Sequence, residues 1–492
     1  MLNGFDTVIC GGTVVTAGDS VPCDVGIRDG VIVALGRDLP GGTRRIDATG
    51  RLVLPGGIDA HCHIDQRSSA GGYTNDTWES GTRAGLAGGT TMLIPFVAQV
   101  KGQSLHDAVR RYHELADGKA RSDYAFHLIV SDPTDEVLDR ELPALIEAGY
   151  TSIKIYLTYE PLKLDDRQSL RVLETARREG ALTMIHAENH EIIAWLTEKL
   201  VAAGRVRPEY HRVAHADVAE SEGASRVIAL AEVADVPVLI VHVSAQDAIA
   251  AIRRAQGRGQ RVYAETCPQY LFLTETDLVR SGWEGAKCLC SPPPRDAANQ
   301  ELVWNGLIDG TFQIFSSDHA AYRFDGDRGK FSGGFDEATA GFHKIANGVP
   351  GLELRLPLLF SEGVLKDRIS LNRFVELSAT NAAKLYGVYP KKGTIAVGAD
   401  ADIAIWDPGL TRTVSIDMLH DDMDYTPYEG RVVTGWPVEV LVRGETAFKD
   451  DVVVAAPGNG KFVRCERSGM ARPLGRSVHG FEPSTGAFAP WS

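Results

Sequence analysis

The sequence predicts an α/β chain: a TIM-like (β/α)8 barrel with a small β-sandwich domain formed from both chain ends. Three observations lead there. Apolar runs alternate with helical stretches across the middle of the chain, the pattern of parallel βαβ units. Short strand-like runs with tight turns occupy both ends. Histidines and a carboxylate close several of the middle apolar runs, where barrel strands deliver functional side chains.

The first part of the sandwich is expected over 1–54. Residues 6–10, 13–15, 24–28 and 31–35 read as strands, and Asp29-Gly30 is a hairpin turn signal. The barrel is expected over 55–385. Its strand candidates include 90–96, 124–130, 151–157, 182–187, 236–243, 262–266 and 313–317, with helix candidates at 165–179, 223–234 and 245–256. A doubly wound open sheet is the competing architecture, but it calls for an early Gly-rich phosphate turn that the chain lacks. Strand patterns return over 386–465, at 393–395, 401–406 and 438–442, with Arg443-Gly444 as a turn. Residues 466–492 are Gly-, Pro- and Ser-rich without periodicity, a tail that either reaches another subunit or stays mobile.

The 492 residues are 44% hydrophobic and 24% charged, an ordinary globular composition with ample material for a core. The net charge of -14 argues against nucleic acid or an anionic membrane as the main partner. Seven cysteines, no secretory leader and no bilayer-length apolar run fit a cytoplasmic protein with free thiols. Cys288-Leu289-Cys290 lacks the spacing and the second pair of a zinc site.

His61 and His63 are two apart, so on a strand they share a face, and Asp59 lies on that face as a candidate orienter of a histidine. His186, His242 and Asp318 each end an apolar run. Singly, each reads as a satisfied structural histidine or a helix-capping aspartate; together they describe a metal site. Lys154, in Ser152-Ile153-Lys154-Ile155-Tyr156, conflicts with that site as an ammonium. The conflict disappears if Lys154 has taken up carbon dioxide to become N6-carboxylysine, an anionic ligand able to bridge two divalent metals.

These stretches, with Gly88-Gly89-Thr90-Thr91, Ile185-His186-Ala187-Glu188-Asn189, Val241-His242-Val243-Ser244, Glu265-Thr266-Cys267-Pro268-Gln269-Tyr270-Leu271, Ser317-Asp318-His319 and Thr434-Gly435-Trp436-Pro437, resemble the amidohydrolase superfamily in its dihydropyrimidinase and hydantoinase branch. The likeness runs from Asp6 to about Val454. It implies a binuclear-metal hydrolase that opens a cyclic amide to an N-carbamoyl acid, and a homotetramer or homodimer. One metal falls to His61, His63 and Asp318, the second to His186 and His242, with the Lys154 carbamate bridging. Zinc is the ion implied, and manganese also suits these ligands. Asp318 is implied as the proton carrier and Tyr159 as a hydrogen-bond donor to the developing oxyanion. Ser291 and Asn347 are implied as substrate contacts; without the resemblance, Tyr159 reads as packing and the other two as turn residues.

The chain departs from the family after the first histidine pair. An apolar stretch is usual there, whereas Gln66 and Arg67 here are polar and can meet a carboxylate, hydroxyl or ring oxygen, or simply face solvent. Glu353-Leu354-Arg355-Leu356-Pro357 leans toward allantoinases and dihydroorotases. Both features favour a polar cyclic ureide or imide over a bulky apolar hydantoin. Two other classes are weighed. Metal-free scaffold relatives have lost ligands that this chain keeps. Deaminases of the superfamily usually hold one metal and lack the bridging lysine.

Overall fold

The computed structural model describes residues 4–68, 72–476, 480–482 and 485–488. Seven parallel strands follow one another in a curled sheet: Phe96–Ala98, His127–Ile129, Ser152–Tyr156, Leu182–His186, Val238–Ile240, Val262–Thr266 and Ile314–Phe315. Gly57–Asp59, Thr90–Leu93 and Asp123–Tyr124 form a parallel sheet of three. Cys62–His63 pairs in parallel with His319–Ala320, so the first and last barrel strands meet and the sheet closes on itself.

Strand alternation sorts side chains between the two faces. Ile153 and Ile155 join the large core between strands and helices, while Tyr156, Met184 and Ile314 belong to the cluster inside the ring. Lys154 shares the inward face with Tyr156 and is fully buried. In register, Tyr156 lies opposite His186. The helices are set by local chemistry. Asp166–Glu179 starts at a capping box of Asp165 with Gln168 and stops at Gly180, whose φ of 73° is left-handed.

Both chain ends supply the remaining sheets. Leu52–Pro55 and Thr13–Val15 pair into the sheet that contains Ile403–Thr413, Val432–Val442 and Glu445–Lys449. The sheet of Thr7–Cys10, Asp24–Arg28, Val31–Gly36 and Arg44–Asp47 shares a core with it through Ile9, Val25, Ile27, Val53, Ile403 and Leu441. Asp29 and Gly30 have φ of 52° and 76°, the paired positive values of a type I′ hairpin.

Some expectations need correction. Several barrel strands are shorter than their apolar runs. The run at 90–96 is split at Pro95, which has no N–H for a ladder, into Thr90–Leu93 and Phe96–Ala98. Residues 393–395 form no strand: Gly393 has φ of 79° and lies so close to the chain at Ala379 that a Cβ would come within 2.9 Å of its carbonyl. The tail rests on its own barrel up to 476, where both Asp235 carboxylate oxygens take N–H bonds from Leu474, Gly475 and Arg476. Tail residues 477–479, 483–484 and 489–492 lie outside the described residues, as do Ser69, Ala70 and Gly71 of the polar loop. Among the described residues no helix is long and apolar enough to cross a membrane.

Candidate functional site

The ends of the parallel strands bring the expected ligands into one pocket. His61, His63, Lys154, His186, His242 and Asp318 all line it, with Tyr159, Ser291, Asn347, Gln66 and Arg67. Ligand atoms of His61, His63 and Asp318 lie within 4.8 Å of one another. Asp318 Oδ1 is 3.2 Å from His61 Nε2 and 3.3 Å from His63 Nε2. The rings of His186 and His242 adjoin at 4.4 Å between centroids.

The far side explains the orientation of three of the four rings. His61 Nδ1 bonds Glu265, and His63 Nδ1 donates to Gln66 Oε1 at 2.8 Å. His186 Nε2 donates to Glu188 Oε2 at 2.7 Å, leaving Nδ1 free. Partners of this kind fix the tautomer and aim the other nitrogen at a metal. Burial pulls His61, His186 and His242 below the ordinary histidine range, which keeps the imidazoles neutral and their lone pairs available. Burial alone would raise the Asp318 carboxyl, but His61, His63 and Lys154 hold it below the usual aspartate value.

Lys154 has no counterpart among these arrangements. Its Nζ is buried without a hydrogen-bond partner, 5.0 Å from the centre of the Phe96 ring and 5.1 Å from that of Tyr156. Burial lowers its pKa to about 8. His242 Nδ1 is likewise buried and unpartnered. An unsatisfied buried polar group costs roughly 1–3 kcal/mol, more when charged, so both atoms fit a site completed by ligands. The donor set of imidazoles, a carboxylate and an amine open to carboxylation suits divalent cations.

Opposite the histidines, Tyr159 accepts from Asn347 Nδ2 at 3.5 Å and from Ser291. Burial and nearby Glu188 raise the phenol's pKa, so it stays a donor. The direction of its proton is set from behind. His211 Nε2 faces the Cys290 carbonyl at 2.9 Å, which requires an N–H there, and the same N–H reaches Ser291 Oγ at 3.1 Å. Ser291 is then free to donate to Tyr159, whose own hydrogen turns into the pocket. The Asn347 Oδ1 acceptor is buried and unpartnered.

The backbone carries a signal that residue types did not. Tyr159, His242 and Asp318 have φ of 69°, 41° and 47°. Non-glycine residues held there cost about 1–3 kcal/mol each and cluster at functional sites. Two readings change. Asp59 orients no imidazole; its Oδ1 accepts the backbone N–H of Ser317 at 3.0 Å and of His61 at 3.4 Å, tying together the strand ends that carry ligands. Gln66 spends its amide oxygen on His63, whereas Arg67 is exposed at the rim. Sequence reasoning missed Glu265, Glu188 and His211 as supports, and Tyr322 as a wall residue. The apolar run ending in Glu265-Thr266 was the available hint for the first.

Residues 52–447 match the amidohydrolase family. The chain is 42% identical over 459 residues to the D-hydantoinase of Rhizobium radiobacter, covering 93% of this chain and 98% of that one. It is 44% identical over 465 residues to the D-hydantoinase of Geobacillus stearothermophilus, covering 94% and 97%. The solved dihydropyrimidinase from Brevibacillus agri NCHU1002 superposes with a TM-score of 0.91 at 42% identity, covering 95% of this chain and 100% of that one. The L-hydantoinase of Arthrobacter aurescens gives 0.83 at 29% identity, covering 94% and 100%.

Proposed function

The chain belongs to the amidohydrolase family, in its dihydropyrimidinase and D-hydantoinase branch, and on that premise we propose how it acts and on which ring. It is a hydrolase of cyclic amides. The ring is a hydantoin, a dihydropyrimidine or a related cyclic ureide or imide, opened to an N-carbamoyl amino acid or the corresponding acid.

The observation that carries the residue assignment is Lys154, a buried amine with no partner beside four histidines and an aspartate. Carboxylated, it would add an anionic oxygen ligand beside both groups of histidines. His61, His63 and Asp318 would hold one divalent ion, and His186 with His242 the other; zinc fits these donors, and so does manganese. Two such ions, when bound, supply a water deprotonated near neutral pH and a polarised carbonyl.

The chain's own groups do the rest. The Asp318 carboxylate takes the proton of the attacking water and passes it to the ring nitrogen as the C–N bond breaks. The Tyr159 hydroxyl donates to the oxygen on which charge develops. Asn347 Oδ1, the unpartnered acceptor, receives a ring N–H, and Ser291 holds the neighbouring edge. Arg67 faces whatever substituent the ring carries. A homotetrameric or homodimeric assembly belongs to this reading and rests on family resemblance; a cytoplasmic setting rests on the free cysteines.

The test is hydrolysis of dihydrouracil, hydantoin, 5-phenylhydantoin, allantoin, dihydroorotate and succinimide by metal-loaded protein, with the ring-opened acid identified. Opening of at least one ring supports the reading. Metal-loaded protein that opens none of them contradicts the choice of ring.

A further inference from the structure

We propose that the substrate's ring carries an acidic side arm, whose carboxylate is bound by Arg67 and Arg111 in a cavity beside the catalytic pocket. The proposal rests on the cyclic-amide reading and names the class of ring.

Space is the first argument. The catalytic pocket has a volume of about 80 Å³, the share of only a few water molecules. A second cavity of about 510 Å³ adjoins it, and the two share Gln66, Arg67, Ser68 and Leu162 as walls. A ring bound at the strand ends therefore has one roomy neighbour into which a substituent can extend past Arg67.

The lining is the second argument. Leu115, Leu162 and the Tyr112 ring give the cavity an apolar floor, while Arg67, Lys101 and Arg111 stand around it. The whole chain has a charge of -14, so three cations on one cavity run against its overall sign. No ion pair involves any of the three among the described residues. Arg111 Nη2 donates to the Tyr73 hydroxyl at 3.4 Å, and Lys101 Nζ reaches only the Glu160 carbonyl at 3.4 Å. The Glu160 carboxylate is taken by Lys163 at 2.7 Å and His190 at 2.9 Å. Asp65 is the single acidic residue in the lining, and it accepts the Trp78 N–H at 3.0 Å, at the start of the helix Trp78–Ala87.

Chemistry is the third argument. With the Gln66 amide oxygen bound to His63, Arg67 is the one charged residue among the walls that the two cavities share. A guanidinium offers paired N–H donors that match a carboxylate, and partial removal from water strengthens the match. An apolar floor under a cationic rim suits an alkyl or aryl arm ending in an acid.

The experiment compares 5-(2-carboxyethyl)hydantoin with its carbamoyl analogue, 5-(2-carbamoylethyl)hydantoin, using metal-loaded protein and unsubstituted hydantoin alongside. The carboxylate form is expected to have kcat/KM about tenfold or more above the amide at low ionic strength, a gap that narrows with added salt. Arg111→Gln is expected to lower kcat/KM for the acid about tenfold more than for the amide. An amide used as well as the acid overturns the proposal, as does an Arg111→Gln variant that loses both equally. If hydantoin opens while the acid-armed ring is disfavoured, the cyclic-amide reading stands and this proposal falls. If none of the three rings opens while dihydrouracil or another ring of the wider panel does, this proposal falls alone; if no ring of that panel opens either, the cyclic-amide reading falls and takes the proposal with it.

Discussion

His63 meets Gln66 on one edge of its ring and Asp318 on the other. The metal-facing nitrogen is thus aimed by a residue three positions along the chain. Replacing Gln66 with Leu leaves Nδ1–H without its acceptor and frees the ring to turn. Metal affinity or turnover is expected to drop about 10–100-fold, measured by metal titration alongside kcat; unchanged affinity and turnover would remove Gln66 from this role. The residues gathered in the pocket were legible because histidines and an aspartate closing apolar runs are costly to bury without a purpose. Their supports were not. Glu265 lies 204 positions from His61, and no spacing rule connects such residues. The Gln66 contact with His63 was not readable either, because its loop conformation cannot be read from residue types.

Lys330 shows the same limit at the level of the loops that follow strands. It is fully buried, and its Nζ donates to the carbonyls of Leu289 at 2.8 Å, Ala346 at 3.1 Å and Gly348. Leu289 stands two residues before Ser291, and Ala346 and Gly348 flank Asn347. One side chain therefore holds together the two segments proposed to grip the ring. Lys330→Met is expected to raise KM and to cost about 3 kcal/mol of stability, since several carbonyls lose their donor. Thermal unfolding and steady-state kinetics check both. Lost stability with unaltered KM would make Lys330 a structural residue only. At this scale the alternation of strand and helix was readable throughout the barrel, and 262–266 was read to its ends. Strand lengths were less readable, because an apolar run continues past the last ladder bond wherever the chain turns into the pocket. Gly393 was read as strand from its neighbours, while its actual role is set by a close approach to the preceding helical segment at Ala379 and Ala383.

Across the whole molecule, the two chain ends meet in one sheet and are joined to the barrel through Lys392. Its Nζ contacts Asp123 of a barrel strand at 2.6 Å, Asp402 at 2.6 Å and Asp400 at 2.9 Å, and Arg443 also reaches Asp123. The meeting of the ends was legible from matching strand patterns, but this charge cluster was not, since nothing in the spacing of its members links them. Lys392→Met strands carboxylates in a buried place and is expected to cost about 3–5 kcal/mol, read by denaturant unfolding; a cost below about 1 kcal/mol would show that the cluster is solvated. The metal centre proposed for this frame is tested most directly by metal content per chain alongside hydantoin or dihydrouracil opening, in the natural protein and in Lys154→Gln. About two ions per chain and ring opening are expected for the natural protein, with fewer ions and at least about a thousandfold less turnover in the variant. A natural protein fully active with a single ion, or a Lys154→Gln protein that keeps both ions and its activity, would contradict the proposed centre.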